Sequence, residues 1–161
     1  MQLTQKERML LEDQKKHEEV CIRKYTEAAE KASDPKLKQL FSTYAAQERQ
    51  HYQTLGQMLA GQIPQPNAQA GQSAGQGQGM QAAGTAWRQN VQPGAGSKMD
   101  ADLCNDLLMT EKYVSGTYDT AIFEFTDSQA RQTLNHIQKE EQQHGEGIFN
   151  YMRAHGMYQP S

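Results

Sequence analysis

Cysteine is scarce in this chain. Cys21 and Cys104 are the two in 161 residues, too few for a disulfide framework, so a reducing compartment is the default expectation. No run of 18 apolar residues occurs, and nothing reads as a membrane span. The opening MQLTQKERMLLEDQKK carries too much charge for a signal peptide. Positive charge is also short: 16 Lys and Arg stand against 19 Asp and Glu, a net charge of −3 with a pI near 5.9. No basic patch emerges, which argues against a nucleic-acid partner. Lys15 with Lys16, and Lys36 with Lys38, read as solvated helix faces. Sustained period-two alternation is missing as well, so no strands are expected.

What the chain does have is three-and-four periodicity in four segments. Thr4-x-x-Glu7 is a capping box that opens a first helix running to about Ser33. Leu11, Gln14, Glu18, Cys21, Tyr25, Ala28 and Ala32 form its seam. Asp34-Pro35 supplies an N-cap and a first-turn proline, and a second helix follows with Leu37, Phe41, Tyr44, Glu48, His51, Leu55 and Met58 in its seam, stopping at Gly61. A third begins near Asp100 and carries Cys104, Leu108, Glu111, Val114, Tyr118, Ile122 and Phe125. Asp127 caps a fourth, with Ala130, Leu134, Ile137, Glu141, His144, Ile148 and Tyr151, ending near Gly156. The pattern predicts an all-α four-helix bundle in one domain, with hairpins over 4–60 and 100–156.

Residues 61–99 are another material, rich in Gly, Gln and Ala with little apolar content beyond Ile63, Met80, Trp87 and Val91. Such a segment buries too little to offset its ordering entropy, and a mobile linker is expected there, with Trp87 docking on the bundle as an anchor. A helix of 28 residues is about 42 Å long, a span that 39 linker residues cover easily. Length thus favours the order up, down, long crossover, down, up.

The strongest signal is a repeat. Glu48 and His51, spaced E-x-x-H, return 93 residues later as Glu141 and His144. The same shift carries Glu18 onto Glu111, Tyr25 onto Tyr118 and Asp34 onto Asp127. One E-x-x-H means little, since chance gives roughly 0.4 in a chain of this composition; two in one frame mean more. All six residues occupy seam positions otherwise held by Leu, Ile or Phe. At 1.5 Å per residue they lie about 21 to 26 Å from their turns, so both sets meet near mid-bundle. Four carboxylates there are severely destabilising alone, whereas two divalent cations balance their charge. Glu18, Glu48, His51, Glu111, Glu141 and His144 are therefore the candidate ligands of a dinuclear site, with iron or manganese favoured and zinc an alternative.

The bland reading is a bundle whose seam carboxylates snorkel or pair with neighbours, including descendants of a metal-binding ancestor. Tyr25 and Tyr118 are expected to hydrogen-bond ligand carboxylates and orient them; a core tyrosine satisfied by backbone or water is the alternative. Cys21 reads as a small buried residue. His17, His136 and His155 have no partner in the repeat and are expected at the surface, while the eight methionines are expected to fill the core.

The stretch LTQKERMLLEDQKKHEEVCIRKYTEAAEKASDPKLKQLFSTYAAQERQHYQTL, the phrase DLLMTEKYVSGTYDTAIFEFTD and the closing YMRAHGMYQP resemble spore coat protein F-like (coat F domain) proteins of endospore-forming Firmicutes. That resemblance implies a ferritin-like fold, association with the spore coat after cytoplasmic synthesis, and other coat proteins or self-association as partners. E-x6-Y and E-x-x-H in both hairpins are also similar to the pattern of rubrerythrins, whose six ligands would match the six residues above one by one. The spacing from the first glutamate to E-x-x-H is shorter here, and no CxxC…CxxC for a rubredoxin-type centre is present. Three readings stay open: a structural or protective coat component with a dinuclear metal site, a di-iron or di-manganese oxidoreductase acting on peroxide, dioxygen or ferrous iron, and a metal-free interaction module. No catalytic residue is singled out.

Overall fold

A computed structural model describes residues 1–64 and 97–158. Four helices make up the fold: α1 (Gln5–Lys31), α2 (Pro35–Leu59), α3 (Lys98–Glu124) and α4 (Ser128–Ala154). Among the described residues there is no strand, and no helix is long and apolar enough to cross a membrane. The caps follow the sequence. Thr4 and Glu7 close a reciprocal capping box, and the carboxylates of Asp34 and Asp127 accept from the first amides of α2 and α4, which satisfies donors with no intrahelical partner. Gly61 takes a left-handed φ of 82°, and a Cβ there would lie 2.9 Å from the Met1 carbonyl oxygen, so the exit from α2 demands glycine.

One boundary moves. The third helix starts at Lys98, inside the expected linker, because the Ser97 hydroxyl accepts from the Asp100 amide and caps it two residues early. The expectations for the rest of 61–99, including Trp87, lie mostly outside the described residues.

Contacts along the helices set their directions. Lys24 pairs with Asp106 at 2.9 Å and Lys6 with Glu124 at 2.7 Å, so α3 runs antiparallel to α1. The Tyr151 hydroxyl donates to Asp34 at 2.7 Å while His51 meets Glu140 at 2.7 Å, so α4 runs antiparallel to α2. It follows that α2 and α3 point the same way. Gly61 lies beside Met1 and Asp100 beside Ser33, so the end of α2 and the start of α3 stand at opposite ends of the bundle, as the expected order requires.

Each helix turns a heptad stripe inward, widened on α2 by Ala45 and Thr54 and on α4 by Thr133 and Met152. On α3 the stripe runs Cys104, Leu107, Glu111, Val114, Tyr118, Ala121 and ends on Phe125. Leu107 and Ala121 therefore take the core places expected for Leu108 and Ile122, which sit half-buried at its flank. Two apolar clusters result. One, at the end holding the 32–34 turn, centres on Tyr25, Leu37, Phe41, Leu107, Ile148 and Met152. The other, at the opposite end, is built on Leu11, Leu55, Met58, Val114, Tyr118 and Leu134. The methionines divide: Met58 and Met152 are buried, but Met9, Met99 and Met109 are exposed, correcting the expectation that all fill the core.

Two further buried carboxylates join the hairpins. Glu7 accepts from the Thr126 amide at 2.9 Å and the Thr126 hydroxyl at 3.0 Å, while Asp100 accepts from the amides of Ser33 at 2.7 Å and Asp34 at 3.1 Å. The first-turn acid of each hairpin thus caps the turn of the other. Burial opposes ionisation of Glu7, but the amides of Thr126 and Thr4 outweigh it and hold the carboxyl below its ordinary range.

Candidate metal centre

Between the two apolar clusters, the heptad stripes of all four helices place polar residues at one height. Glu18 comes from α1, Glu48 and His51 from α2, Glu111 from α3, and Glu141 and His144 from α4. None is more than 2% exposed. The structure brings together every ligand candidate read from the sequence. They fall into two overlapping groups whose donor atoms lie within 4.8 Å of one another: Glu18, Glu48, His51 and Glu141, then Glu48, Glu111, Glu141 and His144. Glu48 and Glu141 belong to both and stand between the two positions.

The imidazoles are aimed. Nδ1 of His51 faces Glu48 at 2.9 Å, Glu141 at 3.0 Å and Glu18 at 3.7 Å. Nδ1 of His144 faces Glu48 at 3.3 Å, Glu111 at 3.4 Å and Glu141 at 3.6 Å. On the outer side, Nε2 of His51 meets Glu140 at 2.7 Å and Nε2 of His144 meets Gln47 at 2.8 Å. With Nε2–H donating outward, each Nδ1 lone pair is free to point inward. Sequence reasoning missed Gln47 and Glu140, although the shift that relates the histidines relates these two residues as well.

The tyrosines reach across the bundle. The Tyr25 hydroxyl donates to Glu111 and the Tyr118 hydroxyl to Glu18, so each orients the carboxylate of the opposite hairpin. Tyr44 adds a contact without counterpart, stacking on His144 with centroids 4.3 Å apart. Gly147 makes room for it, since a Cβ there would meet the Tyr44 hydroxyl at 1.8 Å. Of the other histidines, His136 is exposed while His17 and His155 are half-buried. Cys21 and Cys104 are buried and free; burial pushes the Cys104 thiol up to about 12 and that of Cys21 higher, which makes both poor nucleophiles.

Burial penalises charge on every member of the cluster. It pushes Glu18 and Glu111 well above the ordinary carboxylate range. In Glu48 and Glu141 burial again opposes ionisation, but the imidazoles of His144 and His51 facing them prevail and both are lowered. The imidazoles lose by burial and gain more from the surrounding carboxylates, so both are raised well above their usual value. Protons alone can thus bring the layer to neutrality. They do not satisfy it: Glu18 Oε2, Glu48 Oε1, Glu111 Oε2, both oxygens of Glu141 and Nδ1 of His144 are buried with no hydrogen bond. Unpaired buried donors and acceptors of this number are costly, and all belong to the two donor groups. Oxygen-rich donors with one imidazole per position suit a first-row divalent cation.

A four-helix bundle of two related hairpins with a carboxylate–imidazole layer at mid-height is ferritin-like in architecture. Residues 99–161 match the Coat F domain family, and residues 2–59 match the rubrerythrin family. Together these matches support a coat F-like, ferritin-like family, and the Coat F match supports a spore coat protein. The rubrerythrin match spans Glu18, Glu48 and His51; the Coat F match spans Glu111, Glu141 and His144. No curated protein and no solved structure matches the chain.

Proposed function

We propose that this chain is a structural or protective component of the spore coat whose core holds two divalent metal ions, iron or manganese in preference to zinc. The observation that carries the reading is the set of buried donor atoms without hydrogen bonds, all drawn from the six repeated residues. Glu18 with His51 would hold one ion and Glu111 with His144 the other, with Glu48 and Glu141 shared. Bound there, the ions would supply Lewis-acid or redox chemistry. The chain's own part is to orient and exclude. Tyr118 and Tyr25 fix Glu18 and Glu111 by donating to them. Glu140 and Gln47 hold the imidazole rings, and the apolar clusters on either side keep water from the layer. Synthesis in the cytoplasm, deposition in the coat, and contact with other coat proteins or further copies of this chain complete the reading, without nucleic acid or membrane.

Metal analysis of freshly purified protein tests it, together with melting in added Fe²⁺, Mn²⁺ or Zn²⁺. Metal should copurify and each effective ion should raise the melting temperature, because binding to the native state alone stabilises by mass action. A melting temperature indifferent to all three ions, with no metal copurifying, would reduce the protein to a metal-free bundle. The match of residues 2–59 to rubrerythrins favours a second reading, an oxidoreductase acting on peroxide, dioxygen or ferrous iron. Peroxide consumption by the metal-loaded protein distinguishes it from the first.

A further inference from the structure

The two halves of the centre are related by the 93-residue repeat, yet the residue behind each imidazole differs. Glu140 and Gln47 are counterparts in that repeat, one an acid and the other its neutral amide. Glu140 Oε2 lies 2.7 Å from Nε2 of His51, and Gln47 Oε1 lies 2.8 Å from Nε2 of His144. Both accept Nε2–H and both turn Nδ1 inward, so the geometry is shared and the charge is not. A carboxylate acceptor makes the imidazole it holds a stronger donor at its other nitrogen, and it adds a negative charge beside the ion. The outer sides differ too. Tyr44 stacks on His144, whereas its counterpart in the repeat is Ile137, and Glu140 retains 28% side-chain exposure. The ring behind His144 further desolvates that half, which disfavours added charge there.

Resting on the metal-site reading above, we propose that Glu140 is a positioning residue that makes the halves unequal. The position built by Glu18, Glu48, His51 and Glu141 then takes a divalent cation before the one built by Glu48, Glu111, Glu141 and His144.

The test is a calorimetric titration of the metal-free full chain with Mn²⁺, paired with anomalous diffraction from crystals holding one equivalent. The first ion is expected beside His51. Because glutamine can still accept Nε2–H, Glu140→Gln should keep the ring aimed and lower the metal-free melting temperature only modestly, through loss of the charge beside the imidazole, while weakening the first binding step about tenfold, the lower end of what outer partners of metal-bound histidines contribute. Gln47→Glu should strengthen the second step, and the double exchange should move the first ion beside His144, which loss of packing alone would not do. One equivalent spread evenly over both positions, or binding steps unchanged in Glu140→Gln, would overturn the proposal while leaving a metal site. No binding by the wild type would overturn the metal reading and this inference together.

Discussion

At the two ends of the bundle the seam is filled by Leu37, Phe41, Ile148 and Met152 on one side and by Leu11, Leu55, Met58 and Leu134 on the other. At mid-height the same stripes on the same helices carry Glu18, Glu48, His51, Glu111, Glu141 and His144, equally buried. The ends satisfy themselves, since apolar side chains need only one another. The middle leaves acceptor oxygens without partners. Stability and chemistry thus occupy different heights of one bundle, and the difference shows why the layer can be polar at all: apolar packing above and below carries its cost.

The sharpest way to break this comparison is to damage an end. Phe41→Ala should destabilise the metal-free protein by about 4 kcal/mol in a denaturant melt, because it opens a cavity in a packed cluster. Glu48→Ala with Glu141→Ala should behave differently. Its defining loss should be the gain from metal, while the metal-free protein loses two buried carboxylates together with the ion pairs they make with His51 and His144. For the wild type that gain is expected at about 2.7 kcal/mol when the free ion exceeds its dissociation constant a hundredfold. Loading should also release protons and weaken as pH falls, because the ligands bind deprotonated.

Smaller effects sharpen the picture at the junction of the hairpins. Glu7→Ala should cost about 2 kcal/mol, the scale of a hydrogen bond to a charged group. Since the folded carboxyl is held below its ordinary range, its contribution is present above an unfolded value of about 4.3. It is lost as pH falls through the folded value. The gap between wild type and variant, followed by thermal melts across pH, should therefore be flat near neutrality and close in acid. Tyr118→Phe should have the mildest effect, weakening the ion beside Glu18 by about tenfold and costing the metal-free protein about 1 kcal/mol, because Glu18 Oε1 loses its donor. An unchanged metal titration would make Tyr118 a packing residue only.

Most of the fold was legible because capping and periodicity are local. Thr4-x-x-Glu7, Asp34-Pro35 and Asp127 marked helix starts to within a residue or two, whereas Ser97 was missed because it lies in a stretch whose composition reads as linker. On α3, Leu107 and Leu108 are adjacent apolar residues, and only the heptad register imposed by packing on α1 and α4 decided which faces inward. The ligand set was legible through repetition, since one shift aligned all six residues. That shift also pairs Glu7 with Asp100 and Gln47 with Glu140, and it was the available signal for them. They escaped notice because a first-turn acid and a polar residue beside a ligand look ordinary on any bundle helix.

Composition and spacing by themselves determined that four amphipathic helices would form, that their seams would carry carboxylates and imidazoles at matching heights, and that the chain between the hairpins is long enough to reverse the simple alternation. These are properties of single helices and of chain length, which depend on neighbours a few residues apart. Tertiary structure alone decided who meets whom. Tyr25 answers Glu111 and Tyr118 answers Glu18, rather than the glutamate on the same helix, and Glu7 and Asp100 each cap the other hairpin's turn. Antiparallel packing of α1 on α3 sets these pairs, because it brings one hairpin's tyrosine level with the other's glutamate, a relation between residues about 90 apart that no local pattern encodes.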